Sequence, residues 1–168
     1  RALAGANNGR GIAGIAHGAR LASLVVWDSS DQFGTEEAVA DMFQFRNNEI
    51  AVQNHSWGNS TIQQLEVPLV EGNAIDEAIE NGRGGRGVVM IRVSGNNREE
   101  DWSAADAGYS NDPRVVTVGA VGPGGRVAEF SNPGACVLCA GLICNTEGDH
   151  PVYTTDRMGA LGWNRDSD

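Results

Sequence analysis

Short continuous apolar runs alternate along the chain with stretches in which apolar residues recur every three or four positions. The first run, Leu-Ala-Ser-Leu-Val-Val-Trp at 21–27, stops at Asp28. A run of that length predicts a strand buried on both faces, as a parallel sheet requires. Thr35 then suits an N-cap, with Glu36 and Glu37 in the first turn. Val39, Met42 and Phe43 follow at helical spacing, predicting an amphipathic helix over 35–46. Residues 49–57 form the next expected strand, ended by Gly58, and 59–67 are polar and loop-like. After Pro68, the residues Ala74, Ile75, Ala78 and Ile79 share one helical face, and Asn81-Gly82-Arg83-Gly84-Gly85 stops that helix. Residues 88–93, 114–120 and 137–143 complete the set as strands. Strand–helix–strand order of this kind predicts an α/β fold with a mainly parallel sheet and right-handed crossovers.

In such sheets ligands gather beyond the carboxyl ends of the strands. That rule selects Asp28 onward, Ser56-Trp57-Gly58, and Ser94-Gly95-Asn96, each lying just after an apolar run.

Composition narrows the classes. Of 168 residues, 40% are hydrophobic and 20% charged, a globular balance that argues against a disordered chain. Acidic residues number 22 against 12 basic, for a net charge of -10, so the basic face of a nucleic-acid binder is not expected. No apolar run reaches the roughly 18 residues of a membrane span. Glycine, at 23 residues, is about twice its average share and predicts many tight turns. The chain opens on Arg1-Ala2-Leu3-Ala4 and closes on Asn164-Arg165-Asp166-Ser167-Asp168. Those ends suggest that residues 1–168 are the central part of one domain, truncated at both sides.

Several constellations invite chemistry and lose it on inspection. Cys136, Cys139 and Cys144, with His150, have a zinc-like look, but they supply a single C-x2-C half-site where structural zinc normally uses two. Cys139 and Cys144 lie in a mostly apolar run and are expected to be small core residues. His55 and Ser56 are adjacent, yet neighbours on a strand point to opposite faces. His17 and His150 sit among small or polar neighbours and read as loop histidines. Gly9-Arg10-Gly11-Ile12-Ala13-Gly14 matches G-x-G-x-x-G, but it follows no strand and opens no clear helix, so a dinucleotide site is not expected.

Taken together, the segments resemble a known family. The stretch at 6–16, Ala-Asn-Asn-Gly-Arg-Gly-Ile-Ala-Gly-Ile-Ala, is similar to the residues that follow the catalytic His-Gly-Thr of subtilisin-like serine proteases. Asn54-His55-Ser56-Trp57-Gly58 resembles their substrate-edge strand. Gly82-Arg83-Gly84-Gly85-Arg86-Gly87, leading into Val93-Ser94-Gly95-Asn96, resembles the kexin/furin branch. Val115-Val116-Thr117-Val118-Gly119-Ala120, Glu129-Phe130-Ser131-Asn132 and Val152-Tyr153-Thr154-Thr155-Asp156 follow in the family's order. The resemblance covers nearly the whole chain.

It implies a three-layer α/β/α subtilisin-like fold, incomplete here, and serine endopeptidase activity in the complete protein. The family's catalytic Asp and His match no residue here and are expected upstream of Arg1, and its Ser beyond Asp168. Asn96 matches the oxyanion donor, whose neutral amide faces the negative charge that develops on the carbonyl oxygen. Ser56, Trp57 and Gly58, with Ser94 and Gly95, match substrate-binding positions. The loop around Asn7-Asn8-Gly9 matches a calcium site, with the Asn8 side chain and the carbonyls of Gly5, Arg10 and Ile12 as ligands. Kexin-type enzymes select arginine with acids after both substrate segments. Here no acid follows Gly58 directly, and Asp101 and Asp106 remain, Asp106 being the candidate pocket acid. The implied partner is a peptide or protein substrate. The implied state is a monomer, secreted or extracytoplasmic, with structural calcium. The alternative is a noncatalytic subtilase-like binding domain. A third reading is an unrelated nucleotide-binding α/β domain.

Overall fold

The computed structural model describes residues 5–9, 12–27, 32–58 and 64–143. The chain divides into two compact units, one of residues 1–24 with 150–168 and one of residues 25–149. In the first, the described residues form turns. The Gly14 amide donates to the Gly5 carbonyl at 2.9 Å and the Ala19 amide to Ala16 at 2.8 Å.

The second unit is built on four parallel strands in sequential order: β1 Val52–His55, β2 Val89–Val93, β3 Val116–Val121 and β4 Val137–Leu142. Helix α1, Glu36–Gln44, precedes β1, and α2, Leu69–Glu80, connects β1 to β2. The α/β architecture expected from the alternating pattern is therefore present. Of its three expected layers, the described residues supply the sheet and one helical layer.

Local chemistry explains both helices. Thr35 accepts a hydrogen bond from the Ala38 amide at 3.3 Å, and Glu36 and Glu37 oppose the helix dipole in the first turn of α1. Pro68, which has no amide hydrogen to lose, precedes α2. The chain leaves α2 through Gly87 at φ +73°, where an added Cβ would lie 2.3 Å from the Ile79 carbonyl oxygen, so only glycine fits. The next residue, Val88, donates back to the Ala78 carbonyl at 3.0 Å and starts the return to the sheet.

α1 and α2 pack on each other and on the sheet face that carries Gln53, His55, Met90 and Arg92. Val39, Phe43, Ala74, Ile75, Ala78 and Met90 are each at most 1% exposed and form this core. The Gln53 side-chain amide donates to the Phe43 carbonyl at 2.9 Å and ties β1 to α1. Arg114, just before β3, bridges Asp112 (2.8 Å) and Asp76 of α2. On the opposite face, Val52 and Val89 are about half exposed.

One expected strand is absent. Residues 21–27 contain no strand, and Leu21, Val25 and Trp27 are 58%, 79% and 41% exposed. The segment turns back on its own continuation: Gly34 donates to the Val26 carbonyl at 2.9 Å, and Trp27 bridges Phe33 antiparallel, their rings 5.0 Å apart. An apolar run becomes a strand only where another backbone is present to pair with it, and among the described residues that backbone is residues 33–34. Asp28 lies outside the described residues. Cys139 also departs from expectation. It is exposed because, among the described residues, β4 is an edge strand with no layer packed over it.

Phe43 makes the largest apolar contribution to the helix–sheet core. Phe43→Ala should lower unfolding free energy by about 3–5 kcal/mol, read as a reduced urea midpoint with an unchanged slope.

Candidate active site

The carboxyl ends of β1 and β2 are level, His55 pairing with Arg92. The residues that leave the two strands therefore lie side by side. Between them is a cleft of about 290 Å³. Ser56, Trp57 and Gly58 line one side, Ser94, Gly95 and Asn96 another, and Asp106 and Ser110 a third. All seven substrate-side residues expected from the sequence thus meet at one place.

The turn after β2 is held by residues the sequence did not single out for a role. Ser94 donates its amide to the Val118 carbonyl of β3 at 3.0 Å. Its hydroxyl lies 3.2 Å from the Ser131 hydroxyl, which accepts the Ala120 amide at 3.0 Å. Gly95 has φ +103°, and a Cβ there would fall 2.4 Å from the Asn132 side-chain nitrogen. Asn132 then closes the turn: its amide donates to the Gly95 carbonyl at 3.1 Å and its side-chain oxygen accepts the Asn97 amide at 2.7 Å. Four polar links from β3 and residues 131–132 fix the backbone on both sides of Asn96. Asn96 itself is exposed in the cleft, and its side chain has no hydrogen bond to a described residue. The four links thus place its backbone, and its side-chain amide is a neutral group open to the cleft.

The third wall is tied to a more distant loop. Leu65 donates to the Asp106 carbonyl at 3.2 Å and bridges Ala107 in parallel, while the Ser110 hydroxyl donates to the Val93 carbonyl at 2.9 Å. Asp106 is half-buried, one residue from that bridge.

Trp57 has one side toward the cleft and the other toward an aromatic cluster. Its ring lies 5.4 Å from Phe33, 5.7 Å from His55 and 5.2 Å from Tyr109. His55 is 3% exposed and points away from Ser56, as strand alternation requires. Burial, aided by the nearby Arg92 charge, lowers its pKa to about 4. Its Nε2 lies 3.2 Å from the Gln53 side-chain oxygen. Among the described residues no serine or cysteine side chain is hydrogen-bonded to a histidine, and no cluster of His, Cys, Asp or Glu could hold a metal. Cys136 and Cys139 are free thiols, while Cys144 and His150 lie outside the described residues. In the other unit, Gly5, Asn8 and Ile12 are described and Arg10 is not.

A cleft at the carboxyl edge of a parallel sheet, floored by a clamped Ser-Gly-Asn turn, can be set against known proteins. A sequence profile described as the subtilase family matches residues 1–155. The chain belongs to the subtilase family. It is 28% identical over 174 residues to a protein of Trichormus variabilis named calcium-dependent protease, covering 94% of this chain and 25% of that one. It is also 28% identical over 152 residues to a mouse protein named proprotein convertase subtilisin/kexin type 7, covering 89% of this chain and 19% of that one. Among solved structures, one described as proteases from Pseudoalteromonas arctica superposes with a TM-score of 0.65 at 25% identity, covering 84% of this chain and 41% of the other. The chain thus spans about a quarter of the length of the curated relatives.

The depressed pKa of His55 has a consequence for stability. The folded state holds His55 neutral down to about pH 4, while the unfolded chain takes up the proton near 6.5. Below 6.5 the unfolded state binds more protons, so stability falls as pH drops from 6.5 to 4 and levels off beneath. Burial raises the pKa of Glu71, a contribution of opposite sign, so the comparison must be with a variant. His55→Gln should remove up to about 3 kcal/mol of this acid-side loss, measured by urea unfolding of both proteins across pH 4–7. Parallel curves would show that His55 is not the titrating group.

Proposed function

We propose that this chain supplies the substrate cleft and the oxyanion donor of a serine endopeptidase of the kexin-like kind. The observation that carries the reading is the convergence of Ser56–Gly58 and Ser94–Asn96 on one cleft in a chain of the subtilase family. The nucleophile, its histidine base and the acid that orients it would come from other parts of the complete protein. The much greater length of the relatives supports that division of labour.

In this mechanism a peptide lies along Ser56-Trp57-Gly58 as an added strand, bound through main-chain hydrogen bonds. The serine attacks the scissile carbonyl and gives its proton to histidine, which returns it to the leaving amine. As the carbonyl oxygen becomes negative, the Asn96 amide donates to it. The Asn132 clamp fixes the backbone on both sides of that donor, which limits the reorganisation needed at the moment of reaction. Water then hydrolyses the acyl-enzyme by the same steps. Asp106 is the acid that would receive a basic side chain before the scissile bond. With no acid directly after Gly58, the preference for arginine should be weaker than in a strict kexin. A secreted or extracytoplasmic location and a monomeric state go with this reading.

The test is a fluorogenic-peptide assay on the complete protein. Asn96→Ala should lower kcat by about 10²–10³ with little change in KM, the loss established for this donor in subtilisin. In the same assay Asp106→Asn should slow arginine substrates more than leucine substrates. An unmutated protein that neither cleaves peptides nor labels with a fluorophosphonate probe would instead be a noncatalytic binding domain.

Calcium belongs to the same proposal. Two relatives named calcium-dependent proteases support it, as does the Gly14-to-Gly5 hydrogen bond, made between residues that flank Asn8 in sequence. Asn8 with the Gly5, Arg10 and Ile12 carbonyls would provide the hard oxygen ligands calcium prefers. Residues 5–9 and 12–24 contain no Asp or Glu, so a carboxylate must come from another segment. Calcium should raise Tm by mass action, and Asn8→Ala should shrink that rise. An equal rise in the variant would remove Asn8 from the site.

A further inference from the structure

Arg92 stands on β2, two residues before the Ser94-Gly95-Asn96 turn, and is 2% exposed. Its guanidinium carries five N–H donors, yet none of its three nitrogens has a hydrogen-bond partner among the described residues. A buried cation without hydrogen bonds is expensive, so its surroundings have to hold it in another way. Its central carbon lies 4.0 Å from the Trp57 ring centroid and 4.5 Å from that of Tyr109. Those rings meet at 72° with centroids 5.2 Å apart, so the guanidinium occupies the corner between two π faces. Behind Tyr109 is the countercharge: its hydroxyl donates to the carboxylate of Glu71, itself 2% exposed on α2. Burial lowers the Arg92 pKa to about 10, which still leaves it charged at neutral pH.

The two rings that Arg92 touches belong to segments on different sides of the cleft. Trp57 lines the β1 side. Tyr109 lies between Ala107 and Ser110, which line the third side. Arg92 itself leads into the oxyanion turn. We propose that Arg92 is a positioning residue that sets the width of the substrate cleft by joining its three walls through the Trp57–Tyr109 corner. This rests on the peptidase reading, because the width matters only if a peptide binds there. Arg92 does not touch the reacting atoms. Its loss should therefore weaken binding more than chemistry.

The test uses the complete protein with Arg92→Met, which keeps the length and apolar stem but removes the charge, and Arg92→Lys, which keeps the charge. Removing Arg92 leaves Glu71 buried without its countercharge, which is destabilising, so Tm should fall in Arg92→Met and less in Arg92→Lys, and activity is compared well below both transitions. KM should rise about tenfold, the size of one or two cation–π contacts, with kcat little changed, and Arg92→Lys should recover part of the rise. A merely structural role would move Tm alone and leave this split absent. Independently of activity, 5-fluorotryptophan labelling gives one ¹⁹F signal per tryptophan, and Trp57→Phe identifies that of Trp57. In Arg92→Met this signal should shift. Should Arg92→Met not fold, Arg92→Gln serves the same comparison. An unmoved Trp57 signal, or a parental KM, would overturn the proposal. If the unmutated protein cleaves no peptide, the peptidase reading fails, and the fluorine signal alone decides whether Arg92 holds the Trp57 wall.

Discussion

The site depends on the parallel register of β1 against β2. Because His55 is level with Arg92, both strands release their chains at the same height. A slip of one residue would reverse which side chains face the helices. A slip of β1 would turn Asn54 toward the helices and His55 away from them, and a slip of β2 would do the same to Ile91 and Arg92. The register is held from the helix side, by Gln53 donating to the Phe43 carbonyl and by the Val88 amide on Ala78. The helix–sheet core thus acts on the cleft indirectly: it fixes the strand ends, and the strand ends fix the loops.

How much of this could be read in the sequence depended on the range of the interaction. Helix α1 was legible because its signals are local: Thr35, two glutamates and a 3.6-residue apolar period. The strands at 88–93 and 21–27 had the same signal, an apolar run, yet only the first is a strand. Whether a run pairs is decided by a backbone far away in sequence, and a one-dimensional pattern does not carry that information. Ser56–Gly58, Ser94–Asn96 and Asp106 could be selected because strand ends and a family resemblance both pointed there. Asn132 has no signal of its own in the sequence beyond the matching segment 129–132. Its role is made by the left-handed Gly95, 37 residues earlier, and no local rule links the two. Arg92 lay in plain view inside an apolar strand, a charge where the pattern asks for Val or Ile. That violation was the available signal for its role.

Among the described residues, three departures from ordinary folding rules lie within a few residues of the cleft. Gly95 adopts a backbone conformation closed to other residues, His55 is buried and kept neutral, and Arg92 is buried charged without hydrogen bonds. Other departures lie away from it, among them Gly87 and the positive φ of Arg46 and Arg83, while capped α1, an apolar core and exposed charge pairs such as Arg46–Glu49 that contribute little follow the rules. Local conflict with global consistency is the pattern expected where sequence serves a site more than stability.

Two of the buried charges, Glu71 and Arg92, clarify how that conflict is tolerated. Glu71 and Arg92 do not contact each other directly; Tyr109 stands between them, donating its hydroxyl to one and offering its ring face to the other. A direct ion pair would satisfy both groups more completely, but it would draw Arg92 away from Trp57. With Tyr109 interposed, the carboxylate offsets the buried charge at a distance while the guanidinium remains against the wall of the cleft. The same tyrosine sits one residue before Ser110, whose hydroxyl is bonded to the Val93 carbonyl, so movement of the third wall and movement of Arg92 are mechanically linked. The polar groups beneath the cleft therefore form one connected support, running from α2 through Tyr109 and Arg92 to Trp57.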